Sequence, residues 1–203
     1  MFKILYEDNH LIAVFKPAGM LTQGDITGDK CLMDEVKSYL KIKYKKPGDV
    51  FLGLLHRLDR PASGIVLFAK TSKGASRLSE QFRNRTIEKT YHALVLGKPK
   101  QNKGNLVDFL KKNANENAKR AELDYEVIAS NNKYSLLKIN LKTGRFHQIR
   151  SQLTSLGHPI VWQDKSICLC ATSISFELAT ANERKEISVP VPSSWNKYLD
   201  MVN

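Results

Sequence analysis

VFLGLLHRLDRPASGIVLFA, residues 50–69, sets the charged loop HRLDRPASG of residues 56–64 between two apolar runs that both read as buried strands. Charge lodged between core segments needs a reason, because ions are costly to bury unless they are paired. In an extended segment residues two apart share a face, so Arg57 and Asp59 project together while His56 and Leu58 point the other way. Pro61 and Gly64 then turn the chain into the next run and hold the pair on a short rigid corner. From these residues alone the pair serves equally as an ion pair tying the loop or as a catalytic carboxylate with its cation.

The chain has 203 residues, 42% of them hydrophobic, enough for one large domain or two small ones with a sizeable core. Lys and Arg total 32 against 20 Asp and Glu, a formal net charge of +12, which favours an acidic partner: nucleic acid ahead of anionic membrane. No stretch approaches the roughly 18 to 20 apolar residues of a spanning helix. The amino-terminal MFKILYEDNHLIAVFKPAG is broken by charges and carries no signal core or cleavage site. Three cysteines, Cys31, Cys168 and Cys170, of which only the last two are close, argue against both a disulfide framework and a zinc site. A reducing, cytoplasmic location is the expectation.

Short β-type runs dominate: ILY, LIAVF, VFLGLL, GIVLFA, TYHALVLG, LDYEVIA, YSLLKINL and SISFELA. Helical spacing occurs at Leu32, Val36 and Leu40, at Leu78 and Phe82 after the start signal Thr71-Ser72, and at Phe146, Ile149, Leu153 and Leu156, with Gly157 as a stop. Strands outnumber helices without strict alternation, which predicts an α+β fold with a mixed, largely antiparallel sheet and flanking helices. KKNANENAKRAE, residues 111–122, reads as a flexible insertion.

A second charged constellation is KTGRFHQIRSQLTSLGHP, residues 142–159. Helical spacing would place His147, Arg150 and Thr154 on one face beside the apolar stripe. Arg145 near the helix start opposes the dipole, so it either binds an anion such as phosphate or is simply solvated. His147 reads as a hydrogen-bonded structural residue before it reads as a general base, and no second histidine stands at metal-ligand spacing. Between the two constellations, IEKTYHALVLG puts Lys89, Tyr91, Ala93 and Val95 on one strand face; Tyr91 is a core aromatic or, in an RNA enzyme, a stacking plate.

KPAG at Lys16 to Gly19, HRLD followed by SGIVLFAK, KTYHALVLG, and TGRFHQIR followed by LGHPI occur in that order between about residues 5 and 161. Together they resemble the pseudouridine synthases of the ribosomal large subunit type, the RluA-like family. The resemblance implies a single catalytic domain over residues 1–203 with a central catalytic cleft, acting without metal or cofactor, and as a monomer. The small RNA-binding domain that precedes the core in many relatives is expected to be absent. The implied reaction isomerises uridine in RNA to pseudouridine: the N1 to C1′ bond breaks, the uracil turns, and C5 rejoins the sugar.

By the same resemblance Asp59 is the catalytic carboxylate, Arg150 its ionic partner, and Tyr91 the ring that packs on the target base. Arg57 fills the gap left by the flipped uridine. His56, Arg145 and His147 are expected to contact substrate, and Ile174 to line the pocket. The carboxylate adds to C1′ as a nucleophile or removes a sugar proton; the sequence favours neither route. RNA is the expected partner, ribosomal ahead of transfer, with no membrane association. Departures from the family pattern are Ala62 and Phe146, each where threonine is common, VWQDKSIC at residues 161–168 in place of a Gly-Asp and Tyr-Gly element, and Cys170 where a histidine is common. That altered segment motivates one alternative, an inactive RNA-binding protein of the same fold; the shared chemistry of a carboxylate and an oxocarbenium-like centre gives another, an N-glycoside hydrolase.

Overall fold

In the computed structural model, which describes residues 2–181 and 183–199, the apolar runs that flank the HRLD loop meet different fates. Ser63–Ala69 is a strand whose seven residues are all buried, while VFLGLL pairs only at Gly53–Leu54 and leaves Phe51 53% exposed. Of the two buried strands expected on either side of the loop, one forms in full and the other only as a two-residue stub. The physical reason is local: the backbone of Leu58 is hydrogen-bonded to Thr22 and that of Arg60 to Gly19 and Lys16 instead of continuing a ladder.

The chain divides into two units, Met1–Ile87 with Ile174–Val189, and Glu88–Ser173 with Pro190–Asn203. The first contains β1 (Lys3–Glu7), β2 (Leu11–Lys16), α1 (Leu32–Lys43), β3 (Gly53–Leu54), β4 (Ser63–Ala69) and α2 (Ser72–Asn84). β2 lies antiparallel between β1 and β4, with Val14 opposite Ile4 and Val66. Leu11, Ala13, Ile65, Leu67 and Leu78 pack with Ile87, Ile174, Phe176 and Ile187 into one core. In α1 the buried residues are Leu32, Val36 and Leu40, as the spacing predicts. α2 begins on a Thr71 cap that accepts from the Gly74 amide at 3.1 Å. Gly74 is required there, since a Cβ would stand 2.7 Å from the His10 carbonyl oxygen.

The second unit contains β5 (Glu88–Leu96), β6 (Lys103–Leu110), β7 (Lys119–Ser130), β8 (Tyr134–Leu141), α3 (Gln148–Ser155), β9 (Trp162–Gln163), β10 (Ser166–Ile167) and the start of β11 (Leu169–Glu177). β5, β8, β7 and β6 pair antiparallel in that order. β12 (Arg184–Ser188) belongs to the first unit and α4 (Asn196–Leu199) to the second. The class is α+β with a largely antiparallel sheet, as expected.

Two local expectations are corrected. Of the segment read as an insertion, residues 119–122 are the first residues of β7, paired with Leu110 to Val107, so only residues 111–118 form a loop. β6 escaped notice because Lys103, Asn105, Val107 and Phe109 on its exposed face mix charge with apolar groups. The stripe proposed for the third helix also starts too early. Phe146 precedes α3 and is 43% exposed, because His147 takes a left-handed φ of 49° that no helix continues through. Ile149 and Leu153 are buried as predicted, and Gly157 ends the segment at φ 89°.

Candidate active site

In the first unit the backbone on each side of Asp59 is fixed by residues of the 16–22 segment, Thr22 on one side and the KPAG turn on the other. The Thr22 hydroxyl donates to the Leu58 carbonyl oxygen at 2.9 Å and accepts from the Leu58 amide at 3.2 Å. Thr22 is in turn held by α1: Cys31 provides no side-chain cap, and the amides of Leu32 and Met33 instead donate to the carbonyl oxygens of Leu21 and Thr22. On the other side, the Arg60 carbonyl oxygen accepts from the Gly19 amide at 2.8 Å and from Lys16 Nζ at 3.2 Å. Arg60 Nε returns to the Gly19 carbonyl at 3.1 Å, and its guanidinium pairs with Asp29 at 2.7 Å. The Ala62 amide closes a turn on the Asp59 carbonyl oxygen.

Lys16 ends β2 with no exposed surface, and its ammonium also donates to the carbonyl oxygens of Pro17 and Met20. Burial pulls its pKa down to about 8, while the negative charge of Asp59 works the other way and favours the ammonium. Leu58 is buried at 7% exposure, whereas Arg57 is exposed. His56 Nε2 accepts from the Leu67 amide at 3.0 Å and its ring lies 5.3 Å from that of Phe82, which makes it an anchor of the loop to β4. Ile174 is buried in the first unit's core.

In the second unit Tyr91 is buried on β5 beside Lys89 of the same face, whose pKa is lowered by burial. His92, on the opposite face, shares a hydrogen bond of 2.8 Å with the Thr172 hydroxyl; burial and then the charge of Lys138 lower its pKa. Two buried glutamines one turn apart fix α3 to the β6–β7 hairpin. Gln148 accepts from the Thr143 hydroxyl and the Arg145 amide and donates to the Glu122 carbonyl and Gln152 Oε1. Gln152 donates to Asp108 and the Leu106 carbonyl. Arg145 lies two residues ahead of the His147 cap, its Nε donating to the Arg120 carbonyl at 2.9 Å. His147, at the cap of α3, stacks on Phe146 with ring centres 3.7 Å apart, so the shared helical face with Arg150 and Thr154 does not form through it. Arg150 is half-buried on α3, and its guanidinium carbon lies 5.6 Å from the ring centre of Trp162.

Sequence reasoning gave no role to Lys16, Thr22, Lys89, Trp162 or the glutamine pair. A lysine closing an apolar run before proline, and two glutamines four apart within a helical stripe, were readable signals. Thr22 carries none, because its partner is 36 residues away. Among the described residues no group of three or more His, Cys, Asp and Glu is placed to hold a metal ion, and no helix is long and apolar enough to cross a membrane.

A family model described as RNA pseudouridylate synthase matches residues 10–155. The ribosomal large subunit pseudouridine synthase C of Vibrio parahaemolyticus is 31% identical over 97% of this chain and 68% of its own length. The tRNA pseudouridine synthase C of Vibrio cholerae is 37% identical over 79% of this chain and 72% of its own. Among solved structures, human RNA pseudouridylate synthase domain containing 4 has the same fold, with a TM-score of 0.81 at 22% identity over 98% of this chain and 92% of that one. The chain belongs to the RNA pseudouridylate synthase family, whose members are isomerases that convert uridine in RNA to pseudouridine.

Proposed function

We propose that this chain acts as a single catalytic domain on a uridine of structured RNA, ribosomal RNA ahead of transfer RNA, with Asp59 as the catalytic carboxylate. The observation that carries the reading is the double fixation of the Asp59 backbone, through Leu58 on Thr22 and through Arg60 on Lys16 and Gly19. A carboxylate that must meet one carbon of a sugar gains from such preorganisation. The names of the relatives support both RNA classes, since one is a ribosomal and another a transfer RNA enzyme.

In this reading Arg150 is the ionic partner of Asp59. Tyr91 packs on the base and handles the C5 proton, and Ile174 lines the apolar wall. Arg57, exposed on the loop, fills the space of the flipped nucleotide, and Arg145 and His147 contact the RNA. Flipping costs a few kcal/mol, least at a loop or bulge, so the target uridine is unpaired. His56 acts from behind the loop. The enzyme works as a cytoplasmic monomer with no metal or cofactor.

The test uses ribosomal and transfer RNA from cells lacking the protein. Each is incubated with the enzyme and mapped by carbodiimide-dependent stops of reverse transcription. New stops at one unpaired uridine of ribosomal RNA bear the reading out. Stops confined to transfer RNA replace the substrate class, and none in either fraction contradicts the catalytic reading.

A further inference from the structure

Trp162 stands outside everything the family model covers, in the segment where the chain departs from the family pattern. It is 54% exposed, so its ring is open to solvent on part of its surface. The ring also meets Arg150, whose guanidinium carbon is 5.6 Å from its centre, within the range of a cation–π contact.

Both partners are held in advance. β9 and β10 form a two-residue ladder, Trp162 opposite Ile167 and Gln163 opposite Ser166, around a turn in which Asp164 takes φ 53°. So small a hairpin is not stable alone. It is tied to β5 by the Val161 amide on the Leu94 carbonyl at 2.9 Å and the Leu94 amide on the Cys168 carbonyl at 3.0 Å, and it is closed by the Cys168 amide on the Val161 carbonyl. Arg150 rises from α3, which the buried glutamines lock to the neighbouring hairpin. An arginine has many rotamers, and an aromatic face fixed beside it removes most of them.

We propose that Trp162 is a positioning residue that holds the Arg150 guanidinium in its working direction. The proposal rests on the reading of Arg150 as the ionic partner of the catalytic carboxylate. It assigns the altered segment a role in the reaction: in place of a Gly-Asp element, this chain carries an aromatic clamp for its catalytic cation.

Single-turnover rates at saturating RNA and RNA dissociation constants test it, for Trp162→Phe, Trp162→Leu, Arg150→Met and the Arg150→Met/Trp162→Leu double variant. Trp162→Leu is expected to slow turnover about three- to tenfold with unchanged RNA affinity, and Trp162→Phe to retain most of the rate. Arg150→Met is expected to slow it roughly a hundredfold or more. In the Arg150→Met background Trp162→Leu then costs nothing further. Equal losses in both backgrounds, or weaker RNA binding with normal turnover as a base-stacking surface would give, overturn the proposal. If Trp162→Leu fails to fold, a Trp162→Phe rate as low as that of Arg150→Met overturns it as well. Should Arg150→Met turn over normally while Asp59→Ala is dead, the reading of Arg150 falls and takes this proposal with it; a slow Arg150→Met beside a normal Trp162→Leu removes the proposal alone.

Discussion

The hydroxyl of Thr22 both donates to and accepts from the backbone of Leu58, the residue immediately before Asp59. One side chain thus replaces the ladder partner that the loop lacks. Thr22→Val keeps the shape and removes the hydroxyl, leaving a buried amide and carbonyl unpaired at about 1 to 3 kcal/mol. Thermal melting should show that loss, and single-turnover assays about a tenfold slower reaction; Thr22→Ser should behave as wild type. Equal activity of the valine and serine variants would show that the loop is positioned by something else.

Lys16 gives the fold a pH dependence of stability. Its folded pKa of about 8 lies below the ordinary lysine value of 10.5. The unfolded chain therefore binds the extra proton between those values, and the contribution of this group to stability rises with pH across that window. The difference in stability between wild type and Lys16→Met, followed by urea melts from pH 7 to 10.5, should grow in favour of wild type. A difference that does not change over that range contradicts the lowered lysine pKa.

Glu7 ties β1 to α1 and β4. Burial raises the pKa of its carboxyl, but hydrogen bonds from Lys43, Lys70, Tyr44 and Tyr39 outweigh that and hold it at about 2. The stability it supplies is complete above the ordinary value near 4.5 and is lost as pH falls through 2. Glu7→Gln should cost roughly 3 kcal/mol at pH 7 by denaturant melts, and that deficit should shrink as the pH is lowered from 5 to 2.

The net charge of +12 predicts salt-sensitive RNA binding. If about six phosphates are neutralised, log K against log salt concentration should have a slope near −4 for single-stranded RNA. A slope near zero would mean that the basic surface does not grip the backbone.

Much of the fold was legible where one period ruled. The seven buried residues of β4, the stripe Leu32, Val36 and Leu40, and the Thr71 cap were all in the pattern. β6 was not, because its outward face alternates charge with Val107 and Phe109 and gives no clean amphipathic signal. The start of α3 was misread because spacing cannot reveal the left-handed turn at His147. For the site, the motifs singled out Asp59, Tyr91 and Arg150, but the network behind them was hidden. Lys16, Thr22 and Arg60 meet through backbone carbonyls, which carry no sequence signature, across separations of up to 44 residues. Trp162 was visible only as a departure from a pattern, and its meaning depends on where α3 places Arg150.

The most direct test of Asp59 as the catalytic carboxylate is tritium release from RNA labelled at uridine C5, taken from cells lacking the protein, with wild type and Asp59→Ala compared. The C5 proton must leave when C5 joins the sugar. Release by the wild type alone, with no free uracil, is the predicted result; undiminished release by Asp59→Ala, or free uracil in its place, would contradict it.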